Sequence, residues 1–227
     1  ATYSDMVKFY YYPFQNLRVD VFFTVYSSSL TIMQIEIINE GSTSIKLELY
    51  PYYSHEKGRI EKLGMVDSLA FGFEFVNKRD AWMDDHDIPL IENQRSIYLI
   101  DQKTHGKGVY KNEESFLKSI NDLADTADSS GGNFLVFSQN LSFSPGEKKS
   151  IRILRGVSDV KKSYNQLLSR CKQMIDFNLD NVLRDNEKTY SKIPMLNFSN
   201  KDFENLYWNA FSLIRQCIMP PEGACSY

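Results

Sequence analysis

Apolar and polar residues alternate through the first half of the chain. Leu17, Val19, Val21, Phe23 and Val25 alternate with Arg18, Asp20, Phe22 and Thr24, the pattern of a strand with one strongly apolar face. Over residues 30–38, Met33, Ile35 and Ile37 share a face opposite Gln34 and Glu36. The turn residues Asn39, Glu40, Gly41 and Ser42 follow, and Ile45, Leu47 and Leu49 then alternate with Lys46, Glu48 and Tyr50. This spacing predicts a hairpin of two long strands. Pro51 cannot donate to a ladder, which puts Tyr50, Tyr52 and Tyr53 at an edge or a strand end. Residues 70–76 predict a further strand, with Leu69, Phe71, Phe73 and Phe75 inward and Gly72 and Glu74 outward.

Residues 97–100 and 108–110 predict short strands, and residues 113–124 a short helix in an insertion ending in Ser129-Ser130-Gly131-Gly132. Strand patterning resumes over residues 133–143 and 150–157. These flank Ser144-Pro145-Gly146-Glu147, whose Pro-Gly pair suits the centre of a type II turn and predicts a second hairpin. After Val157 the period changes. Val160, Tyr164, Leu167, Leu168, Cys171, Ile175, Leu179 and Val182 fall at three- and four-residue spacings, predicting one long amphipathic helix with Ser158 as its N-cap. Pro194 interrupts. Ser199 followed by Asp202 opens a second helix in capping-box style, with Phe203, Leu206, Tyr207, Ala210, Phe211, Ile214 and Ile218 on one face. The chain thus reads as mainly β, with an antiparallel domain over residues 1–157 and linker helices over residues 158–227.

A hydrophobic content of 42% is ample for a core, and the formal net charge of −3 with no Lys/Arg run argues against a nucleic-acid partner. No apolar stretch reaches the length of a membrane span. Cys171, Cys217 and Cys225 are an odd number with two on predicted helices, which reads as reduced thiols rather than a disulfide framework. Ala1 as first residue suggests a processed N-terminus, so the compartment stays open between cytoplasm and periplasm or secretion. Residues 78–87 form a charged loop holding Trp82. Its Asp84, Asp85, His86 and Asp87 are adjacent ligands that do not converge on one ion, so no metal is expected there.

Motifs for nucleophilic, phosphate and zinc chemistry are absent: no G-x-S-x-G, no Gly-rich phosphate loop, no H-E-x-x-H and no paired C-x-x-C. His55, His86 and His105 sit in loop contexts. The chain reads as non-catalytic, and no cofactor is called for. It ends oddly. An apolar helix runs into Pro220-Pro221-Glu222-Gly223 just before Tyr227, which leads us to expect the front part of a larger protein.

The strand-rich block with its turn at residues 39–42, the late "SPGE" turn followed by "IRILRGV", the long linker helix and then "FENLYWNAFSLIRQCIMPPEGACSY" resemble the N-terminal region of glycoside hydrolases with an (α/α)6 barrel. That group includes glucoamylase-like and disaccharide phosphorylase enzymes. The resemblance implies a large antiparallel β-supersandwich of galactose-mutarotase-like topology, followed by linker helices that begin a truncated (α/α)6 barrel. It further implies that Glu222 hydrogen-bonds substrate hydroxyls, that Tyr227 stacks on sugar, and that the two catalytic carboxylates lie downstream. The partners expected are carbohydrate and a missing C-terminal helical domain. Without that domain the last helix should show an exposed apolar stripe or pair with a second copy. A self-sufficient sugar-binding module, with Trp82 or the tyrosines at 50, 52 and 53 as its platform, is the alternative. A mutarotase-like epimerase, a third reading, requires histidine and carboxylate together in the sandwich concavity.

Overall fold

The computed structural model describes residues 5–27, 29–54, 58–77, 93–122 and 131–218. Among these residues the chain is mainly β, in two antiparallel sheets. The seven-stranded sheet runs in the order β1 (Met6–Phe14), β2 (Leu17–Ser27), β3 (Leu30–Asn39), β11 (Lys148–Asp159), β8 (Asn93–Ile100), β7 (Ala70–Asn77) and β6 (Gly58–Asp67). In the smaller sheet, β10 (Phe134–Phe143) is bordered by β4 (Ile45–Leu49), β5 (Tyr52–Ser54) and β9 (Gly106–Tyr110). Four α-helices complete the described chain: α1 (Glu113–Lys118), α2 (Tyr164–Met174), α3 (Leu179–Tyr190) and α4 (Lys201–Ile218).

Alternation decides which side chains meet between the sheets. Leu17, Val19 and Val21, then Phe71, Phe73 and Phe75, bury one face of the large sheet against Leu135, Phe137, Leu141 and Phe143 of β10. The opposite face of the large sheet is also covered over its middle. Phe22, Leu30, Ile32, Ile97, Leu99 and Leu154 pack there under Leu167, Leu168 and Cys171 of α2 and Leu179 of α3. Burial on both faces explains the unbroken apolar run Ile97-Tyr98-Leu99-Ile100, where all four residues are 4% exposed or less.

Both predicted hairpins are instead crossings between sheets. β3 pairs with β11, placing Ile35 opposite Ile151, while β4 pairs with β10, placing Leu47 opposite Leu141. The two crossings run side by side and Asn39 joins them. Its Nδ2 donates to the Thr43 carbonyl at 2.8 Å and the Ser144 carbonyl at 3.0 Å, and its Oδ1 accepts from the Gly41 N–H at 3.1 Å. Its own N–H donates to the Glu147 carbonyl at 3.0 Å. Gly146 has φ +73°, the left-handed conformation that a type II centre demands, and its N–H donates to the Asn39 carbonyl at 2.8 Å. Period two sets the buried face of a strand but not its partner, so a turn inside a sheet and a crossing between sheets share one signature.

The helical boundaries also differ from the pattern. β11 continues through Ser158, which is 3% exposed and sits opposite Arg95 of β8, so the ladder and not a helix cap takes its backbone. Ser163 caps α2 instead: its Oγ accepts from the Gln166 N–H, and Gln166 Oε1 accepts from the Ser163 N–H at 3.1 Å. The predicted single helix breaks after α2, and Asn178 caps α3 by accepting from the Asp180 N–H at 2.9 Å. α4 is capped by Asn200, which accepts from the Asp202 N–H at 2.8 Å, rather than by Ser199.

A polar clamp holds the start of α2 to the sheet. The Arg95 guanidinium lies 4.6 Å from the Tyr164 ring centroid, donates to the Lys162 carbonyl and reaches Glu74 at 3.4 Å. The Tyr164 ring covers Gly72, where a Cβ would approach it to 2.6 Å, so this outward-facing glycine lies under a helix. Lys62, at 2.7 Å, is the main reason that the Glu74 carboxyl titrates below its ordinary 4.5. A carboxyl of depressed folded-state pKa adds stability above its unfolded value and loses it as pH falls through the folded one. Glu74→Gln is therefore expected to flatten the acid limb of the stability profile below about pH 4.5, read as urea midpoints at a series of pH values. An acid limb as steep as that of the parent protein would refute the clamp's role.

Candidate functional site

Trp82, Glu222 and Tyr227, the three site residues expected from the sequence, lie outside the described residues, as do His55 and His86. The tyrosines around Pro51 are described, and packing takes two of the three. Tyr50 meets the Phe116 ring at 5.4 Å, and Tyr53 lies beside Phe73 and Phe75 with the Arg155 guanidinium 4.1 Å from its centroid. Tyr52 is 58% exposed and stacks on Phe134 at 4.8 Å, so it alone presents a ring to solvent.

Only part of the apolar face of α4 is covered. Tyr207, Trp208 and Phe211 turn toward the rest of the chain, with Tyr207 against Phe198 at 5.5 Å and Trp208 against Tyr190 at 6.4 Å. Tyr190 and Ser212 share a hydroxyl hydrogen bond at 3.0 Å, and the Tyr207 hydroxyl donates to the Pro194 carbonyl at 2.6 Å. Next to them around the helix Phe203, Leu206, Leu213 and Ile214 are 53–65% exposed, and Met195 in the preceding connection is 83% exposed. With the exposed Ala210 between Leu206 and Leu213, three- and four-residue steps make them a continuous apolar stripe, of the kind that marks an interaction surface.

A polar groove of about 450 Å³ lies on the helix-bearing face of the large sheet, where the apolar rows give way to charged ones. Its floor comes from Asp20, Gln34, Glu36 and Arg152 on β2, β3 and β11, and its wall from Asp176 and Asn178 in the α2–α3 turn. Register makes this row. Asp20 sits opposite Glu36, and Gln34 opposite Arg152. Arg152 donates to the Ile175 carbonyl, to the Phe177 carbonyl at 3.0 Å and to Gln34 Oε1 at 2.6 Å, fixing the turn to the sheet. Gln34 Nε2 donates to Glu36 at 3.2 Å, and Lys148 lies 2.7 Å from the other oxygen of Glu36. Arg18 grips both oxygens of Asp20, at 2.7 and 3.1 Å, and lies 4.9 Å from the ring centroid of Tyr10, the residue opposite Asp20 on β1.

The groove offers fixed donors and acceptors, with the sheet carboxylates Asp20 and Glu36 both held in ion pairs. Among the described residues that line it there is no histidine, so nothing here supports the epimerase reading. Just past the end of β8, chiefly burial and in small part the charge of Asp176 raise the Asp101 carboxyl above its ordinary value, with no histidine among its interacting groups. Among the described residues no three His, Cys, Asp or Glu side chains gather as a metal site, and no helix is long and apolar enough to cross a membrane. The sequence shows Asp20, Gln34 and Glu36 only as the polar alternates of strands. Their convergence depends on register across β2, β3 and β11.

No family model and no curated protein matches the chain. Its fold does have likenesses among solved structures. A protein described as a kojibiose phosphorylase from the human microbiome matches 82% of this chain with TM-score 0.52 and 10% identity. A family GH92 α-mannosidase from Bacteroides thetaiotaomicron matches 78% with TM-score 0.40 and 10% identity, over 23% of its own chain. A protein described as an aldose 1-epimerase from Escherichia coli K12 matches 70% with TM-score 0.39 and 10% identity, over 67% of its own. Only the first exceeds 0.5, and at this identity the likeness is one of fold. The chain spans 23% of the length of that first structure. The antiparallel β-supersandwich with C-terminal helices, expected from the resemblance, is the observed fold.

Proposed function

We propose that this chain is the non-catalytic N-terminal domain of a carbohydrate-active enzyme, a glycoside hydrolase or related phosphorylase. In this reading residues 1–157 form the sandwich, and residues 158–227 form the linker and the first helix of an (α/α)6 barrel. The observation that carries it is the uncovered stripe of Phe203, Leu206, Leu213 and Ile214 on α4, in a chain whose fold matches part of a much longer phosphorylase-like chain. A helix that half-buries Tyr207 and Phe211 and leaves large apolar groups bare beside them suits a place between the rest of this chain and a further layer. The sandwich then braces the helical domain, and Glu222 and Tyr227 edge its sugar cleft.

Two measurements test this. Incubated with a panel of disaccharides and aryl glycosides, with and without inorganic phosphate, the chain alone is expected to show no turnover above the blank. The reading frame beyond the Tyr227 codon is expected to continue into several hundred residues of paired helices. Turnover at enzymatic rates, or a stop codon at that place, overturns the proposal.

A self-sufficient sugar-binding module is the second reading, favoured by the exposed ring of Tyr52. It requires Tyr52→Ala or Trp82→Ala to abolish glycan binding. Pairing of α4 with a second copy is the other way to cover its stripe, and sedimentation of the isolated chain distinguishes a dimer from a monomer.

A further inference from the structure

The polar groove is chemically selective. Its four carboxylates, Asp20, Glu36, Asp176 and Asp180, are balanced by Lys8 and Arg152 in the groove and by Arg18 and Lys148 paired to Asp20 and Glu36, and Arg152 is already spent on two carbonyls and Gln34, so no excess positive charge is left to hold a phosphate or other anion. A bare cation is no better served. Both oxygens of Asp20 are gripped by Arg18, and those of Glu36 by Gln34 and Lys148, leaving no pair of free sheet carboxylates to converge on an ion. What remains is a set of planar groups held in place by protein partners, each with unused lone pairs. Hydroxyls, which donate and accept at once, match such a set, and the prior anchoring removes much of the ordering cost of binding. The volume, about 450 Å³, falls within the usual range of small-molecule sites.

The rim adds the apolar half of the recognition. Tyr10 and Tyr12 of β1 share the groove's face of the sheet, are 64% and 50% exposed, and stand edge to face with centroids 6.4 Å apart. An aromatic ring suits the C–H face of a sugar, and its hydroxyl suits the wet edge.

We propose that this groove binds a neutral oligosaccharide, with Asp20, Glu36 and Asn178 taking sugar hydroxyls and Tyr10 stacking at the rim. The choice of sugar among neutral polyhydroxylated ligands rests on the carbohydrate reading above. The placement stands on the groove itself.

The test titrates the chain with maltotriose, cellotriose, mannotriose and α-1,2-linked glucobiose, by calorimetry and by amide chemical shifts. At least one probe is expected to bind with a dissociation constant on the order of 1 mM or tighter, shifting the amides of residues 20, 36 and 178. Tyr10→Ala and Glu36→Gln, both outside the core, are each expected to weaken that binding by roughly 5-fold or more at unchanged melting temperature. Tyr52→Ala is expected to leave it unchanged. Absence of binding by every probe at about 20 mM overturns the proposal. So does binding that neither variant weakens, or a response of these amides to calcium or magnesium alone. None of these failures touches the reading of α4, which stands or falls on turnover and on the reading frame.

Discussion

Phe137→Ala is expected to lower the free energy of unfolding by about 3–5 kcal/mol, the largest loss from any single truncation between the sheets. Phe137 is fully buried at the centre of β10. Its ring centroid lies 4.9 Å from that of Phe71 on β7 and 4.9 Å from that of Tyr98 on β8. Its N–H donates to the Pro51 carbonyl at 2.9 Å, which fixes the backbone behind the ring and limits how far the site can collapse. Removing the ring forfeits its transfer energy, its aromatic contacts and the packing of two facing strands at once. Phe137→Leu retains most of the volume and should cost roughly half as much. Guanidinium unfolding curves report both values. A loss below about 1.5 kcal/mol for the alanine variant would mean that the interlayer repacks around the hole, against the rigid arrangement described here.

What the sequence disclosed follows from what period and pairing each encode. The inward faces of β2 and β7 were legible because Leu17, Val19 and Val21, and Phe71, Phe73 and Phe75, repeat at two-residue spacing. The partners of β3 and β4 were not, because alternation carries no information about which sheet receives the next strand. Ser158 illustrates a local signal overridden by tertiary pairing: a good cap residue before an apolar run, yet placed in a ladder opposite Arg95. The exposed stripe of α4 was foreseen as a property of an unpartnered helix, but which part of its apolar face is covered depends on α3 and the Pro194 connection. The groove was invisible. Asp20, Gln34 and Glu36 read as a solvated strand face until register sets them beside Arg152.

Asn39 concentrates that difference in one side chain, and Asn39→Asp is expected to cost about 3 kcal/mol or more at neutral pH with hardly any change in volume. At 2% exposure the amide donates to two carbonyls, those of Thr43 and Ser144, one in each crossing between the sheets. A carboxylate in its place sets an anionic oxygen against both carbonyls, where nothing donates to it. The Gly41 N–H still finds an acceptor, so the loss comes from the other oxygen alone. The introduced carboxyl is favoured in its neutral, donating form, and its pKa rises on folding. The sign follows: a group whose protonation is favoured by folding restores stability as pH falls through the raised value. The destabilisation relative to the parent is therefore expected to shrink between about pH 7 and pH 5, whereas that of Asn39→Ala stays constant across the same range. Equal pH-independent losses for the two variants would mean that Asn39 serves by shape. A larger loss that eases with acid would establish its two donated hydrogen bonds as the joint between the crossings, and with them the relative placement of the two sheets.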